Sequence, residues 1–291
     1  MPTITVHHHT VYRYAKPVQF GEHRLMFRPR DSHDLRLLDT ALSIQPAASV
    51  RWLHDVFGNS IAIAQFTEWG NELAFASTFR AETFPVSERE LVLEPYAQRY
   101  PFSYSAEEIP DLGRTVERNY PDPHHAVDGW ARWFVEGNRS HATLEILIGM
   151  TQSIKQQFAY TSRDAMGTQS PVETLEKRSG SCRDFALFMM EAARSLGFAA
   201  RFVSGYLYDE KLVGATGGLV GGGATHAWVQ IYLPGAGWVE FDPTNGQVGG
   251  KNLIRVAVVR DPPQAVPLSG TFTGAASDFL GMTVNVSVTA G

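Results

Sequence analysis

Cys182, His226 and Asp242 are the residues whose types and spacing point most directly to chemistry. Cys182 is the only cysteine of the chain and stands in Gly180-Ser181-Cys182-Arg183-Asp184, directly ahead of a strongly helical run. A thiol at a helix start meets the positive end of the helix dipole, which favours the nucleophilic thiolate. His226 follows in Thr225-His226-Ala227-Trp228, and Asp242 in Phe241-Asp242-Pro243-Thr244. A thiolate that attacks a carbonyl needs an imidazole to pair with it and later to return a proton to the leaving amine. That imidazole needs a fixed tautomer, which a carboxylate accepting from its other nitrogen provides. Backbone N–H groups at the helix start add donors for an oxyanion. A free cysteine is also, very often, a small buried hydrophobe. Residue types alone leave both readings open, although this cysteine borders glycine and charged residues rather than an apolar face.

A helix and two adjacent strands must position the three. The helix begins at Cys182, runs through Phe185, Phe188, Met189, Ala192 and Leu196, and stops at Gly197. Strands follow over 199–207, 227–233 and 237–241, with Pro234-Gly235-Ala236-Gly237 turning between the last two. Upstream, Ser170-Pro171-Val172-Glu173 reads as a helix start with a serine cap, proline at the first position and a capping box. Trp130, Trp133 and Phe134 share one helical face, as do Leu144, Leu147, Thr151, Ile154 and Phe158. The first 90 residues instead alternate as strands: Thr3 to Tyr14, Leu35 to Ile44, a hairpin turning at Gly58-Asn59, and Glu72 to Phe84. Pro85, Pro95, Pro101, Pro110, Pro121 and Pro123 then mark a linker that packs on the surface. Val284, Val286 and Val288 suggest one last strand. The expected division is a β-rich domain over 1–90, a proline-rich linker over 91–125, a catalytic core over 126–262 and a C-terminal extension over 263–291.

The segment Gly180-Ser181-Cys182-Arg183-Asp184-Phe185-Ala186, continuing through Ala192-Ala193-Arg194-Ser195-Leu196-Gly197, resembles the cysteine motif of the transglutaminase-like superfamily. Thr225-His226-Ala227-Trp228-Val229 resembles its histidine motif, and Gly237-Trp238-Val239-Glu240-Phe241-Asp242-Pro243-Thr244 its aspartate motif. Tyr12-Arg13-Tyr14 and Leu25-Met26-Phe27-Arg28-Pro29-Arg30 are similar to the N-terminal domain of the bacterial branch. The resemblance implies an α+β fold, with an N-terminal β-sandwich-like domain followed by a papain-like transglutaminase core. It also implies Cys182, His226 and Asp242 as a triad for amide acyl chemistry, without naming the acceptor. The expected activity is a cysteine-dependent hydrolase acting on peptide or isopeptide amides. A transglutaminase transferring the acyl group to an amine is the alternative, and a binding module with marginal catalysis is an alternative of another class.

Bulk properties narrow the classes. A net charge of −5 offers no electrostatic case for nucleic acid. No stretch approaches the roughly 18 apolar residues of a membrane span. One cysteine cannot form an internal disulfide, and the N-terminus lacks the basic and apolar regions of a signal peptide, so a cytoplasmic protein is expected. No phosphate loop or zinc spacing occurs, so no cofactor or metal is expected, and the partner is a peptide or protein substrate. The tract Gly214 to Ala224 reads as a hairpin connection or as a flap beside His226. His7-His8-His9 would alternate between strand faces, which suits structural or surface roles better than one metal site. Tyr160, Tyr206 and Trp238 are candidates to border the cleft or to pack within the core, and Arg183 and Asp184 are expected as surface charges at the helix start.

Overall fold

In the computed structural model, which describes residues 3–137, 141–163, 166–208 and 225–291, the N-terminal alternation forms one long strand, β1 (Thr3–Leu25). Ile4, Val6, His8 and Thr10 face inward and are buried, as the period of two requires. β2 (Leu35–Gln45), β3 (Ala48–His54), β4 (Ser60–Phe66) and β5 (Trp69–Thr83) follow in an antiparallel sheet of order β2-β5-β1-β4-β3. The β3–β4 hairpin turns as the sequence suggests: Gly58 takes a φ of 76°, and Asp55 accepts the N–H groups of Phe57 and Asn59. β1 changes partners along its length, pairing first with β5 and then, over His23 to Leu25, with β4. One continuous sheet thereby folds over its own core of Val18, Phe20, Leu25, Leu73 and Phe75.

The proline-rich stretch runs largely along the surface and is anchored there at a few points. It contains α1 (Glu108–Leu112) and buries Leu93, Leu112 and part of Phe102. The Tyr104 hydroxyl donates to the Tyr232 carbonyl and accepts from the Ala199 N–H, tying the stretch to the core. Then come α2 (Ala126–Arg132), α3 (Thr143–Gln157), β6 (Ala159–Tyr160), α4 (Pro171–Lys177), β7 (Ser179–Gly180) and α5 (Cys182–Ser195). Ser170 caps α4 by accepting the Glu173 N–H at 3.1 Å, but Glu173 turns outward to Lys177 at 2.6 Å instead of closing a capping box. α5 is buried on almost every side because it is the central helix of the core; Phe185, Leu187, Phe188, Met189 and Met190 are all buried, and so are the charged Asp184, Glu191 and Arg194.

β8 (Ala200–Leu207), β9 (Thr225–Leu233), β10 (Gly237–Asp242), β11 (Gln247–Val248) and β12 (Leu253–Val259) form the second antiparallel sheet, ordered β11-β10-β9-β8-β12, with α5 packed on β9. The fold is thus α+β, with a β domain ahead of a transglutaminase-like core. The chain finally returns to its beginning: β13 (Leu268–Thr273) pairs with the far half of β1, and β14 (Phe279–Ala290) pairs with its near half, Ile4 facing Ala290. Gly214 to Ala224 lie outside the described residues. No described helix is long and apolar enough to cross a membrane.

The two sheets are fastened by charge. Arg255 of β12 holds Asp34 through two bonds of 2.6 and 2.7 Å and Glu240 of β10 at 2.9 Å; Glu240 also accepts from Trp228 Nε1 at 2.7 Å. Removing the arginine leaves Glu240, almost fully buried, without its cation. Arg255→Ala is therefore expected to lower unfolding free energy by about 3 kcal/mol in urea titrations. A loss under about 1 kcal/mol, the size of an exposed ion pair, would contradict this role.

Candidate active site

The first turn of α5 is set by Asp184, which is buried rather than the surface charge expected from sequence. Ser181 is the N-cap and Asp184 the third helical residue, so the two form a capping box around Cys182. Asp184 Oδ2 accepts the Ser181 N–H and hydroxyl, both at 2.8 Å; Oδ1 accepts the Gln169 N–H and Arg163 Nη1, both at 2.7 Å. Burial alone would raise its pKa, but these donors hold the carboxyl below its ordinary range. Gly180 is needed beside it, since a methyl group there would stand 2.8 Å from Asp184 Cβ and 2.9 Å from Gln169 Nε2. Cys182 is thereby fixed at the helix start, nearly buried and free of disulfide.

β9 and β10 bring the other two residues together. His226 is the second residue of β9 and Asp242 the last of β10, and His226 Nε2 lies 2.9 Å from Asp242 Oδ2. Asp242 also accepts the Thr244 N–H at 2.9 Å and Asn245 Nδ2 at 2.8 Å, which fixes its plane. Across the sheet, Gly205 pairs with His226, where any side chain would strike the Ile254 carbonyl oxygen and the Trp228 ring. Trp228, two residues along the strand, lies over the imidazole with centroids 6.1 Å apart.

Burial lowers the His226 pKa, yet the Asp242 charge and hydrogen bond, joined by Cys182, raise it to about 10. Asp242 is pulled below its ordinary range, against burial, chiefly by the charge of His226 and their hydrogen bond. The second ring nitrogen, Nδ1, is buried and has no well-formed hydrogen bond among the described residues. With Nε2 committed to Asp242, Nδ1 is the nitrogen left to act on the Cys182 sulfur. Such a pairing can hold an imidazolium beside a thiolate and move one proton to or from a reacting group.

Of the other candidates, Tyr160 borders this region: it pairs with Gly180, is partly exposed, and its phenol is raised by burial and then by Cys182. Tyr206 does not. It is buried in the contact between the two sheets, where its hydroxyl meets His8 Nδ1 at 2.8 Å. His8 is pushed down to about 4, mainly by burial, while His7 on the opposite face meets Thr78. Trp238 lies under the Arg201 guanidinium, 3.9 Å from its carbon. Sequence reasoning missed Gln169, Arg163 and Asn245, which have no local signature, and misplaced Asp184, whose Ser-x-x-Asp spacing did carry one.

Comparison with known proteins adds the family. Residues 4–82 match the bacterial transglutaminase-like N-terminal region, and residues 128–243, which contain Cys182, His226 and Asp242, match the transglutaminase-like superfamily core. The chain belongs to the transglutaminase-like superfamily. An uncharacterized Mycobacterium tuberculosis protein is 28% identical over 291 residues, covering 97% of this chain and 91% of its own. A protein-glutamine gamma-glutamyltransferase of Pseudomonas aeruginosa is 32% identical over 135 residues, which cover 45% of this chain and 20% of that protein. In fold, the chain matches the crystal structure of a candidate cysteine protease from Cytophaga hutchinsonii, with a TM-score of 0.69 and 20% identity over 99% of this chain and 90% of that one.

Two measurements check the electrostatics. His226→Ala should slow iodoacetamide alkylation of native Cys182 at least tenfold at pH 7, because the imidazolium partner is lost; an unchanged rate would contradict the pairing. A folded-state pKa raised above the unfolded value stabilises the protein fully below pH 6.5, and that gain drains as pH rises toward 10. Wild type should therefore lose more than about 1.4 kcal/mol relative to Asp242→Asn between those pH values. A constant difference would contradict a charged His226–Asp242 pair.

Proposed function

We propose that this protein is a cysteine-dependent acyl hydrolase that cleaves peptide or isopeptide amide bonds through a thioester intermediate. The observation that carries the reading is the buried His226 Nε2–Asp242 Oδ2 hydrogen bond, which leaves Nδ1 for the Cys182 sulfur. An imidazole with a pKa raised to about 10, chiefly by Asp242, rests as imidazolium at neutral pH, and a cation in that place favours the nucleophilic form of a neighbouring thiol.

In this mechanism the Cys182 thiolate attacks the amide carbonyl carbon, forming a C–S bond and an oxyanion. First-turn N–H groups of α5, at the positive end of its dipole, stabilise that oxygen. His226 Nδ1–H gives its proton to the amide nitrogen as the C–N bond breaks, releasing the amine and leaving a thioester. Water then attacks the thioester while Nδ1 takes its proton. The C–S bond breaks to release the acid, and thiolate and imidazolium are restored. Asp242 stays ionised throughout and holds the ring. Asp184 acts one step removed, by fixing the turn that carries Cys182.

Water as acceptor needs no second substrate pocket, which favours hydrolysis. The Pseudomonas aeruginosa relative, a protein-glutamine gamma-glutamyltransferase, makes the glutamine side chain a reasonable acyl donor and an amine the competing acceptor. A glutamine peptide offered with and without a labelled primary amine separates the two. Ammonia release with water, unaffected by the amine and abolished in Cys182→Ala, is the expected result. Amine incorporation exceeding hydrolysis would replace the hydrolase reading with a transferase one.

A further inference from the structure

β2 and β3 are separated by only two residues, Pro46 and Ala47, yet they do not pair with each other. β2 bonds to β5 and β3 to β4, so the two consecutive strands form opposite ends of one sheet. Among the described residues, each has one paired edge and one edge with no strand beside it. Unpaired backbone edges are templates for an added strand. Because the sheet folds over, both ends line the same cavity of about 300 Å³. Leu25, Phe27 and Phe79 form an apolar floor, and Leu42 of β2 and Trp52 of β3 stand on either side. Trp52 is half exposed although its face of β3 looks inward.

Arg28 spans the mouth. Its guanidinium donates to Thr40 Oγ1 of β2 at 3.1 Å and lies 5.7 Å from the centre of the Trp52 ring on β3. Among the described residues no carboxylate pairs with it. The cleft thus offers backbone donors and acceptors, an apolar socket and an unneutralised cation at the rim. An extended peptide supplies all three complements when an apolar residue and an acidic residue stand two positions apart, on the same strand face.

We propose that the β2–β3 cleft binds an extended, acidic segment of a protein substrate as an added strand. An apolar side chain fills the cavity and a carboxylate reaches Arg28. The β domain would then be a recruitment site separate from the reacting residues, which the proposed hydrolase does not by itself require.

The test uses the full chain carrying Cys182→Ala, so that binding is read independently of the reaction. The probe is a fluorescein-labelled peptide with valine, glutamate and valine at alternate positions and serine between them; a second peptide has lysine in place of glutamate. Anisotropy should show the glutamate peptide binding at least tenfold more tightly than the lysine peptide. Arg28→Glu should reverse that order without changing the circular dichroism spectrum. Equal affinity for the two peptides, no saturable binding of either, or binding untouched by Arg28→Glu would overturn the proposal. A dimer in sedimentation that Arg28→Glu dissolves would also overturn it, by assigning the cleft to a second copy of this chain.

Discussion

The buried hydrogen bond between His226 and Asp242 is the interaction on which the rest of the site depends. Placing a carboxylate and an imidazole together at 0% side-chain exposure is costly unless each compensates the other. Asp242 is therefore held by the N–H of Thr244 and the side chain of Asn245 as well as by the ring. One nitrogen of His226 is fully occupied in consequence. The other is free for chemistry, and Cys182 is the nucleophile within its influence. A less buried carboxylate would orient the ring more loosely and raise its basicity less.

Precision at that pair is inherited from packing around it. Gly205 of β8 leaves room for the β12 backbone and for the Trp228 ring beside His226, and that ring is pinned by Glu240. Glu240 in turn is neutralised by Arg255, which reaches across to Asp34 in the β domain. The two sheets are therefore coupled through one chain of charges that ends two residues from the imidazole. On the other side, Asp184 fixes the Ser181–Cys182 turn with donors drawn from Gln169 and Arg163.

Much of this was legible in the sequence because its signals are local. The helix start at Cys182, the glycine after α5, the turn at Gly235 and the alternation of the early strands all depend on residues a few positions apart. The order of cysteine, histidine and aspartate motifs named the elements that carry them. What was hidden depends on distance. The valine alternation near residue 286 predicted a strand, but not that β14 would pair with β1 some 280 residues earlier in the sequence. Asp184 read as a surface charge because its donors at Gln169 and Arg163 come from another loop. Tyr206 stood open between the cleft and the core, because nothing in sequence announces that His8 will meet it. The gap between β2 and β3 was equally invisible, since consecutive strands with a short connection ordinarily form a hairpin.

Trapping the covalent intermediate tests the central claim most directly. The protein would be mixed with a short glutamine peptide, quenched in acid within milliseconds to seconds, and examined by intact mass and peptide mapping. The account predicts an adduct equal to the peptide minus ammonia, attached to Cys182, that accumulates early and decays as product forms. Turnover of the peptide by the Cys182→Ala variant at the wild-type rate, or an adduct mapping to any other residue, would contradict it.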